Sequence, residues 1–363
     1  MKGKAALELL EPYQQGKQIQ DIKDQYGIDR IVKLSSNENP YGYSSKIDAF
    51  LLEHRLGFDM YPDGYTAELR TALALKLKVE ESEIVFGSGS EEIVQMICRA
   101  FLYPGVNTVM PKPTFPQYKH NAVIEGAEIK EIPTKGGYLD LASILAAVDD
   151  DTQVVWLCSP NNPTGNAMAK QDFYDFITRC PEHVLVVLDE AYYEYLDPVR
   201  DLESIKQLPN FKNLIILRTF SKAYGLAGLR IGYGLAAEQI ITKLNVVRGP
   251  FNTTSIAQKL ALIAWKDGEF LNQTISNNNR VKRSFQYFLD QIGWEYYPSE
   301  TNFLLVCTPK SGIDLFEYLI KHGFIVRPGE LLGIPNTIRL TLGLEKDMEQ
   351  LQQLLLTYNN EET

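Results

Sequence analysis

Cysteine and histidine are scarce in this sequence, which has four of each among its 363 residues. The cysteines lack the CxxC spacing of metal-binding and redox motifs, and no two histidines stand at metal-ligand spacing. We therefore expect buried free thiols in a reducing cytoplasm, and neither disulfides nor a metal site. The cysteines are Cys98, Cys158, Cys180 and Cys307.

Long hydrophobic runs and an excess of positive charge are also absent. No segment approaches the roughly 18 unbroken apolar residues of a membrane span, and the first residues lack the apolar region of a secretory signal. The formal charge of −10 disfavours a nucleic-acid partner, which would require a basic surface. These absences predict a cytoplasmic protein that binds neither membranes nor nucleic acids.

The sequence does contain many short apolar runs that alternate with helical stretches. Hydrophobic residues make up 45% of the chain, and its length exceeds one ordinary domain. The alternation in residues 41–248 predicts a large α/β domain with a mainly parallel sheet covered by helices. Residues 1–40 are predicted to form an N-terminal arm and part of a small domain, and residues 249–363 a smaller α+β domain.

One segment, residues 218–230, carries a hydroxyl, an amine and a guanidinium directly after an apolar run. A lysine that forms a Schiff base with pyridoxal phosphate needs a cation and a hydroxyl nearby to bind the cofactor's phosphate. Lys222, Ser221 and Arg230 could supply these three groups. A lone Ser-Lys pair is more often part of a solvated loop, so this interpretation depends on the other motifs.

Two further apolar runs are predicted to be buried strands that end in polar residues. Residues 184–188 lead into Asp189, and residues 154–158 lead into a turn that contains Asn162. Asp189 could keep a pyridinium nitrogen protonated, while Tyr192 and Asn162 could hydrogen-bond the ring's phenolic oxygen. Taken alone, such a carboxylate is as often a helix N-cap or a metal ligand, and Asn-Pro is an ordinary turn.

A loop of small residues, 86–90, precedes an apolar helical stretch. A loop of this kind presents free amides and the positive end of a helix dipole to an anion. Ser88 and Glu91 also fit a capping box, in which case the loop would only start the helix. The two interpretations are compatible, because a phosphate can bind the remaining amides.

Six motifs occur in an order that resembles the fold-type I aminotransferases, and the chain is most similar to the histidinol-phosphate aminotransferases among them. The motifs are Asn-Glu-Asn-Pro (37–40), Tyr-Pro-Asp-Gly (61–64), Gly-Ser-Gly-Ser (87–90), Asn-Asn-Pro-Thr-Gly (161–165), Asp-Glu-Ala-Tyr (189–192) and Ser-Lys…Gly-Leu-Arg (221–230). The resemblance implies a pyridoxal 5′-phosphate enzyme of histidine biosynthesis. Its reaction would be amino transfer between L-histidinol phosphate and 2-oxoglutarate, giving imidazole acetol phosphate and L-glutamate.

The resemblance also implies roles at the cofactor ring. Lys222 would form the Schiff base and then shuttle protons, and Asp189 would pair with the pyridinium nitrogen. Tyr192 and Asn162 would hold the phenolic oxygen, and Phe115 would stack on the ring, although a phenylalanine in the protein core is an open alternative.

The cofactor's phosphate would be bound by residues from two segments and from a second subunit. The residues of the same chain would be Ser90, Glu91, Ser221 and Arg230. Tyr61 matches a tyrosine that the family contributes to the neighbouring subunit's phosphate site. The resemblance therefore implies a homodimer with shared active sites.

The substrate would be held by its anionic end. Arg327 and Arg339 match the pair of arginines that does this in the family, with Tyr13 and Asn162 beside them. Bidentate guanidinium contacts suit both phosphate and carboxylate. One pocket could therefore accept the phosphate of histidinol phosphate in one half-reaction and a carboxylate of glutamate in the other.

Three alternatives to this function remain open from the sequence. Two are enzymes with the same cofactor: an aromatic-amino-acid aminotransferase and a threonine-phosphate decarboxylase. The third is a regulatory module that binds the cofactor without turnover. Such a module would need a DNA-binding segment, and the chain has neither a basic helix-turn-helix region nor spare length for one.

Overall fold

The fold is built around one large sheet with two small sheets beside it. The computed structural model describes residues 3–10, 19–55 and 57–362. The strands in these ranges are β1 (Val32–Lys33), β2 (Ile84–Gly87), β3 (Asn107–Lys112), β4 (Glu128–Pro133), β5 (Thr152–Cys158), β6 (Leu185–Asp189), β7 (Leu214–Thr219), β8 (Gly232–Ala236), β9 (Phe303–Cys307), β10 (Phe324–Ile325), β11 (Arg327–Pro328) and β12 (Thr337–Thr341). The α-helices are α1 (Ile19–Tyr26), α2 (Ser45–Glu53), α3 (Ala67–Leu77), α4 (Ser90–Phe101), α5 (Gln117–Glu125), α6 (Leu141–Ala146), α7 (Lys170–Arg179), α8 (Glu238–Val247), α9 (Ser255–Lys266), α10 (Gly268–Ile292), α11 (Gly312–Lys321) and α12 (Glu345–Glu362).

The large sheet has seven strands in the order β2-β8-β7-β6-β5-β3-β4. β4, β3, β5, β6 and β7 are parallel to one another, whereas β8 runs antiparallel to both β2 and β7. The mainly parallel α/β sheet predicted from the sequence is therefore confirmed.

Both faces of this sheet are covered by helices. In β6, Val186 and Leu188 lie in a core that includes side chains of α3, α7 and α9. Leu185 and Val187 lie in the core on the other face, with side chains of α4, α5 and α8. Because alternate residues of a strand point to opposite faces, a strand enclosed on both sides has to be apolar throughout. This explains the continuous apolar run that precedes Asp189.

The strands near the C-terminus form a separate arrangement. β12 lies between β11 and β9 and is antiparallel to both, and β1 pairs in parallel with β10. A third core joins these strands to α10, α11 and α12, and it includes Val32 and Leu34 together with Leu304 and Leu340. The N-terminal segment around β1 therefore packs with the C-terminal third of the chain.

The polar residues singled out from the sequence follow parallel strands that lie side by side. Cys158 pairs with Asp189, and Asp189 pairs with Leu217, so β5, β6 and β7 end at the same edge of the sheet. Ligands of parallel α/β sheets bind at this carboxyl edge. Within the described ranges, no helix is both long enough and apolar enough to span a membrane.

Candidate active site

Lys222 lies in the loop after β7, where its amine meets two backbone carbonyls. Its Nζ donates hydrogen bonds to the carbonyl oxygens of Ser36 at 3.2 Å and of Asn37 at 3.3 Å. Burial lowers the pKa of Lys222 to about 8, and the nearby guanidinium of Arg339 acts in the same direction. A lysine with this pKa has a neutral, nucleophilic fraction near neutral pH.

The turn that carries Lys222 requires a glycine. Gly225 closes the turn by donating its N–H to the carbonyl oxygen of Lys222 at 2.9 Å, with φ at +73°. A Cβ at this position would lie 1.8 Å from the carbonyl oxygen of Gly42. The lysine loop can therefore pack against the N-terminal segment only because residue 225 has no side chain.

Asp189 is the last residue of β6, and its buried carboxylate is held by two donors. The Tyr118 hydroxyl donates to one oxygen at 2.6 Å, and the Ala191 N–H donates to the other at 3.1 Å. Burial nevertheless raises the pKa of Asp189 to about 6. Lys222 lies close to Asp189, because β6 and β7 are neighbours in the sheet and the Lys222 nitrogen is 5.6 Å from the ring of Tyr192, three residues after Asp189. A cation beside Asp189 would favour the ionised carboxylate.

Tyr192 lies beside the amine and presents a phenol. The ammonium nitrogen of Lys222 is 5.6 Å from the centre of the Tyr192 ring. The side-chain amide of Asn37 donates to the Tyr192 hydroxyl oxygen at 2.8 Å. Burial raises the pKa of Tyr192 to about 12, so the hydroxyl is protonated at neutral pH.

Two arginines face each other on the small antiparallel sheet. Arg327 of β11 pairs directly with Arg339 of β12, and like charges at such positions repel unless an anion lies between them. Arg339 also donates to Asn162 Oδ1 at 2.5 Å and to the carbonyl oxygen of Ser35 at 2.8 Å. These contacts bring Arg339 to the loop that follows β5. The cleft therefore offers a site for an anionic group close to Lys222.

A second anion site is formed where α4 begins. The residue before the helix is Gly89, with φ at +77°, and no side chain in the described part of the chain caps the helix. A Cβ on Gly89 would lie 2.7 Å from Nη2 of Arg230, and a Cβ on Gly232 would lie 2.5 Å from the amide nitrogen of Ser90. Arg230 also donates to the Ser221 hydroxyl at 3.3 Å. Free helix amides and a guanidinium thus converge, as an anion requires.

A comparison with known families agrees with this geometry. The family described as aminotransferase class I and II matches residues 29–355. The chain belongs to this family. It is therefore an aminotransferase, and a regulatory module without enzymatic activity is set aside.

The aminotransferase has relatives among curated proteins and solved structures. It is 58% identical to histidinol-phosphate aminotransferase 2 of Oceanobacillus iheyensis, over 99% of this chain and 100% of that protein. It is 47% identical to the histidinol-phosphate aminotransferase of Bacillus subtilis, over 98% of this chain and 99% of that protein. The crystal structure of the Sinorhizobium meliloti histidinol-phosphate aminotransferase in complex with pyridoxal-5′-phosphate is similar with a TM-score of 0.91 and 26% identity, and covers 100% of this chain and 98% of that chain.

The alternative in which Ser88 and Glu91 form a capping box at the start of α4 is wrong. Glu92, and not Glu91, folds back to accept the N–H of Ser88 at 2.5 Å. Asn252 donates to the same Glu92 oxygen at 2.8 Å, and the Ser88 hydroxyl donates to the carbonyl oxygen of Asn252 at 2.7 Å. Asn252 therefore holds the loop before α4 through Ser88 and Glu92. Gly89, the residue before the helix, places no side chain on the first helix amides. Glu91 instead lies 3.7 Å from Arg230.

The remaining predicted residues lie in different surroundings. Phe115 is half-buried, and its ring lies 5.5 Å from that of Tyr118, the residue that donates to Asp189, in an edge-on contact. Tyr61 is 82% exposed and stacks on Phe251 at 4.6 Å. Tyr13 lies outside the described residues.

Tyr118 and Asn37 are site residues to which sequence reasoning assigned no role. Tyr118 lies one helical turn after Phe115 and stacks on Trp156 at 4.6 Å, so its ring resembles an ordinary core residue. Asn37 belongs to the first of the six motifs, but the sequence contains no sign that it contacts Tyr192. The sequence signal for Tyr118 is its position three residues after Phe115, in the first turn of α5.

Proposed function

We propose that this aminotransferase is a pyridoxal 5′-phosphate enzyme that transfers an amino group between L-histidinol phosphate and 2-oxoglutarate. The observation that carries the proposal is the grouping of Lys222, Asp189 and Arg339 at the carboxyl edge of the large sheet. Lys222 and Asp189 follow or end neighbouring parallel strands, and Arg339 contacts the loop after the next strand. The names of relatives that are 47% and 58% identical over nearly the whole chain support the choice of substrate.

The residues of the cleft fit the cofactor at both ends. The amides of Ser90 and Glu91, the Ser221 hydroxyl and Arg230 would hold its phosphate, where the two glycine positions leave room for nothing larger than hydrogen. Asp189 is a buried carboxylate that a ring cation would stabilise in its ionised form. When bound, pyridoxal phosphate withdraws electrons from the substrate's α-carbon.

Each side chain of the cleft then has a defined task. Asp189 would hold a proton on the ring nitrogen, because Tyr118 and the Ala191 amide favour its ionised form. Lys222 would bind the cofactor covalently through Nζ, and the same Nζ, once released, would accept the proton from the substrate α-carbon. Tyr192 and Asn162 would hold the phenolic oxygen, and Phe115 would stack on the ring.

Substrate selection would depend on the arginine pair. Arg327 and Arg339 would bind the phosphate of histidinol phosphate in one half-reaction and a carboxylate of glutamate in the other. The deciding measurement is kcat/KM for histidinol phosphate, phenylalanine and tyrosine as amino donors with 2-oxoglutarate. We expect histidinol phosphate to exceed the aromatic amino acids by about 10²-fold or more, since a phosphate offers the two guanidiniums more negative charge and more acceptor oxygens than a single carboxylate does.

Two results would reject this substrate. Equal or greater kcat/KM with phenylalanine or tyrosine would indicate an aromatic-amino-acid aminotransferase. Release of carbon dioxide from threonine phosphate at a comparable rate would indicate a decarboxylase.

Removal of the Tyr118 hydroxyl is expected to weaken the site in a pH-dependent way. In Tyr118→Phe, one oxygen of Asp189 loses its hydrogen-bond donor. This lowers the free energy of unfolding by about 1–3 kcal/mol while the carboxylate is ionised. The pKa of Asp189, already raised to about 6, would rise further. Urea unfolding of the cofactor-free protein should therefore reveal a larger loss of stability at about pH 8 than at about pH 5. An equal loss at both pH values would contradict an effect through Asp189.

Attachment of the cofactor to the cofactor-free protein should follow the ionisation of Lys222. With a pKa of about 8, the neutral fraction of the amine rises about fivefold between about pH 7 and pH 8 and then levels off. The rate of appearance of the visible absorption band, measured by stopped flow, should follow the same curve. A lysine with an ordinary pKa would instead give a rate that increases about tenfold per pH unit from about pH 7 to pH 9.

We also propose a homodimer in which Tyr61 contributes to the neighbouring subunit's phosphate site. Support comes from a cluster of exposed apolar side chains around it, namely Phe58, Met60 and Phe251. If sites are shared, mixing inactive Lys222→Ala with Tyr61→Ala under exchange conditions should restore about one quarter of wild-type activity, because one site of each hybrid dimer is intact. A sedimentation coefficient of a monomer would reject the dimer.

The division into lobes is part of the same proposal. We place the large lobe at residues 41–248 and the small lobe at residues 1–40 with 249–363, except that α9 packs in the core of the large sheet. The separate core that joins Val32 and Leu34 to the C-terminal strands supports this division.

We also propose a cytoplasmic location, supported by the buried free thiols of Cys98, Cys158 and Cys180, which suit a reducing compartment.

A further inference from the structure

Asn37 lies at the junction of the N-terminal segment, the cleft and strand β12. Its side chain is almost completely buried, with 1% of its surface exposed, and its φ of +55° is a left-handed value that asparagine tolerates better than most residues. Its amide nitrogen donates to the Tyr192 hydroxyl oxygen at 2.8 Å. Its backbone carbonyl accepts from Lys222 and, at 3.1 Å, from Asn302.

Thr341 contacts both the backbone and the side chain of Asn37. The backbone N–H of Asn37 donates to the Thr341 hydroxyl oxygen at 2.9 Å. The hydroxyl hydrogen of Thr341 is then free to donate to Asn37 Oδ1, which lies 3.2 Å away. With Oδ1 accepting from Thr341, the NH₂ group of Asn37 faces Tyr192.

This orientation constrains the hydroxyl of Tyr192. The NH₂ group of Asn37 can only donate, so the Tyr192 oxygen acts as an acceptor toward it and must direct its own hydrogen elsewhere. Within the described part of the chain, no protein acceptor is found for that hydrogen at hydrogen-bond distance. The hydrogen is therefore available to a group that binds in the cleft.

We propose that Asn37, oriented by Thr341, is a positioning residue that compels Tyr192 to act as a hydrogen-bond donor to the cofactor's phenolic oxygen. This inference rests on the proposed function. A donor at that oxygen stabilises its negative charge, which lowers the affinity of the neighbouring Lys222 nitrogen for a proton. The charged groups that also act on this nitrogen are Asp189, Glu38, Arg230 and Arg339.

The test is a double-mutant cycle with a spectroscopic readout. The visible band of the cofactor-loaded enzyme is titrated with pH in the absence of substrate, and its midpoint reports the charge on the Lys222 nitrogen. In Asn37→Asp, which keeps an asparagine-like backbone preference, the carboxylate would take the Tyr192 hydrogen and add a negative charge. We expect the midpoint to rise by about one unit or more, and Tyr192→Phe to raise it by a similar amount.

The double variant separates the hydrogen bond from the added charge. We expect Asn37→Asp to raise the midpoint by clearly less in the Tyr192→Phe background than in the wild type, because the donor is already gone. Equal shifts in both backgrounds would mean that residue 37 acts through charge alone, and the inference would fail while the proposed function stands. A wild-type enzyme that binds pyridoxal phosphate without any visible band would overturn both.

A second variant tests the same idea without adding charge. Thr341→Val keeps the volume but releases the Asn37 amide, so Oδ1 can turn to Tyr192 and compete for its hydrogen. We expect the midpoint of the pH titration to rise by a few tenths of a pH unit, although the proposal gives Thr341 no contact with the cofactor. Thr337→Val is the matched control, because Thr337 lies on the same strand and donates to the Ile334 carbonyl oxygen at 2.7 Å, away from Asn37. Equal midpoints for the two variants would contradict the inference.

Discussion

Replacing Lys222 with alanine is expected to lower kcat by at least about 10⁴-fold. The variant loses the amine that lies near Asp189 and Tyr192, and with it both the covalent attachment and the group that moves the proton. The phosphate-binding groups around Ser221 and Arg230 are unchanged, so the cofactor should still bind without a covalent bond. Steady-state kinetics with histidinol phosphate and a borohydride trapping experiment measure the two effects separately.

Lys259→Ala is the matched control for this change. Lys259 is an exposed lysine of α9 that forms an ion pair with Glu68 at 2.8 Å, so its removal should leave kcat within about twofold. Lys222→Arg should be as inactive as the alanine variant, because a guanidinium has no neutral form at working pH. Turnover of the amino donor by Lys222→Ala would contradict the assigned mechanism.

Replacing Asp189 with asparagine should lower kcat by roughly 10³-fold and at the same time stabilise the cofactor-free protein. The loss of activity follows because a neutral amide cannot stabilise the charge on the ring nitrogen. The gain in stability follows from the pKa of about 6, which burial raises above the usual value of 3.8. At pH 8 the folded protein therefore carries a penalty of up to about 3 kcal/mol that asparagine does not have.

The pH dependence of this stability difference has a definite sign. Because the folded-state pKa of Asp189 is raised, wild-type stability falls as the pH increases from about 4 to 6, relative to the asparagine variant, and the difference is constant above that range. Urea unfolding of both cofactor-free proteins at about pH 4, 5, 6 and 8 measures it. An asparagine variant that is less stable than wild type at pH 8 would contradict the assigned cost of burying the charge.

The adjacent residue provides a control of opposite sign. Glu190 is also buried, but it is paired with Arg218 at 2.8 Å and accepts the Ser204 hydroxyl at 2.8 Å. Glu190→Gln would leave the Arg218 charge without its partner and should destabilise the protein by about 3–5 kcal/mol. The two neighbouring carboxylates therefore have opposite effects on stability. Glu190 forms an ion pair with Arg218, whereas no ion pair of Asp189 is found among the described residues of the cofactor-free protein.

The sequence predicted the local parts of this site well. Asp189 follows a continuous apolar run, and a strand enclosed on both faces of a parallel sheet has to end where the apolar residues end. The predicted strands before Asp189, Asn162 and Lys222 are present, and all three end at one edge of the sheet. The sequence could not exclude the capping box with Glu91. The N–H of Ser88 donates to Glu92 instead, and Glu92 is held there by Asn252, which lies far along the chain.

The sequence by itself determined the strands, the order of the motifs and the aminotransferase family, because each depends on neighbouring residues or on an ordered set of short patterns. Only the tertiary structure decided which side chains meet. Tyr118 reaches Asp189 across 71 positions, Asn37 reaches Tyr192 across 155, and Arg339 reaches Asn162 across 177. Periodicity indicates which face of a strand or helix is buried, but not its partner, since the partner is selected by the packing of the whole chain.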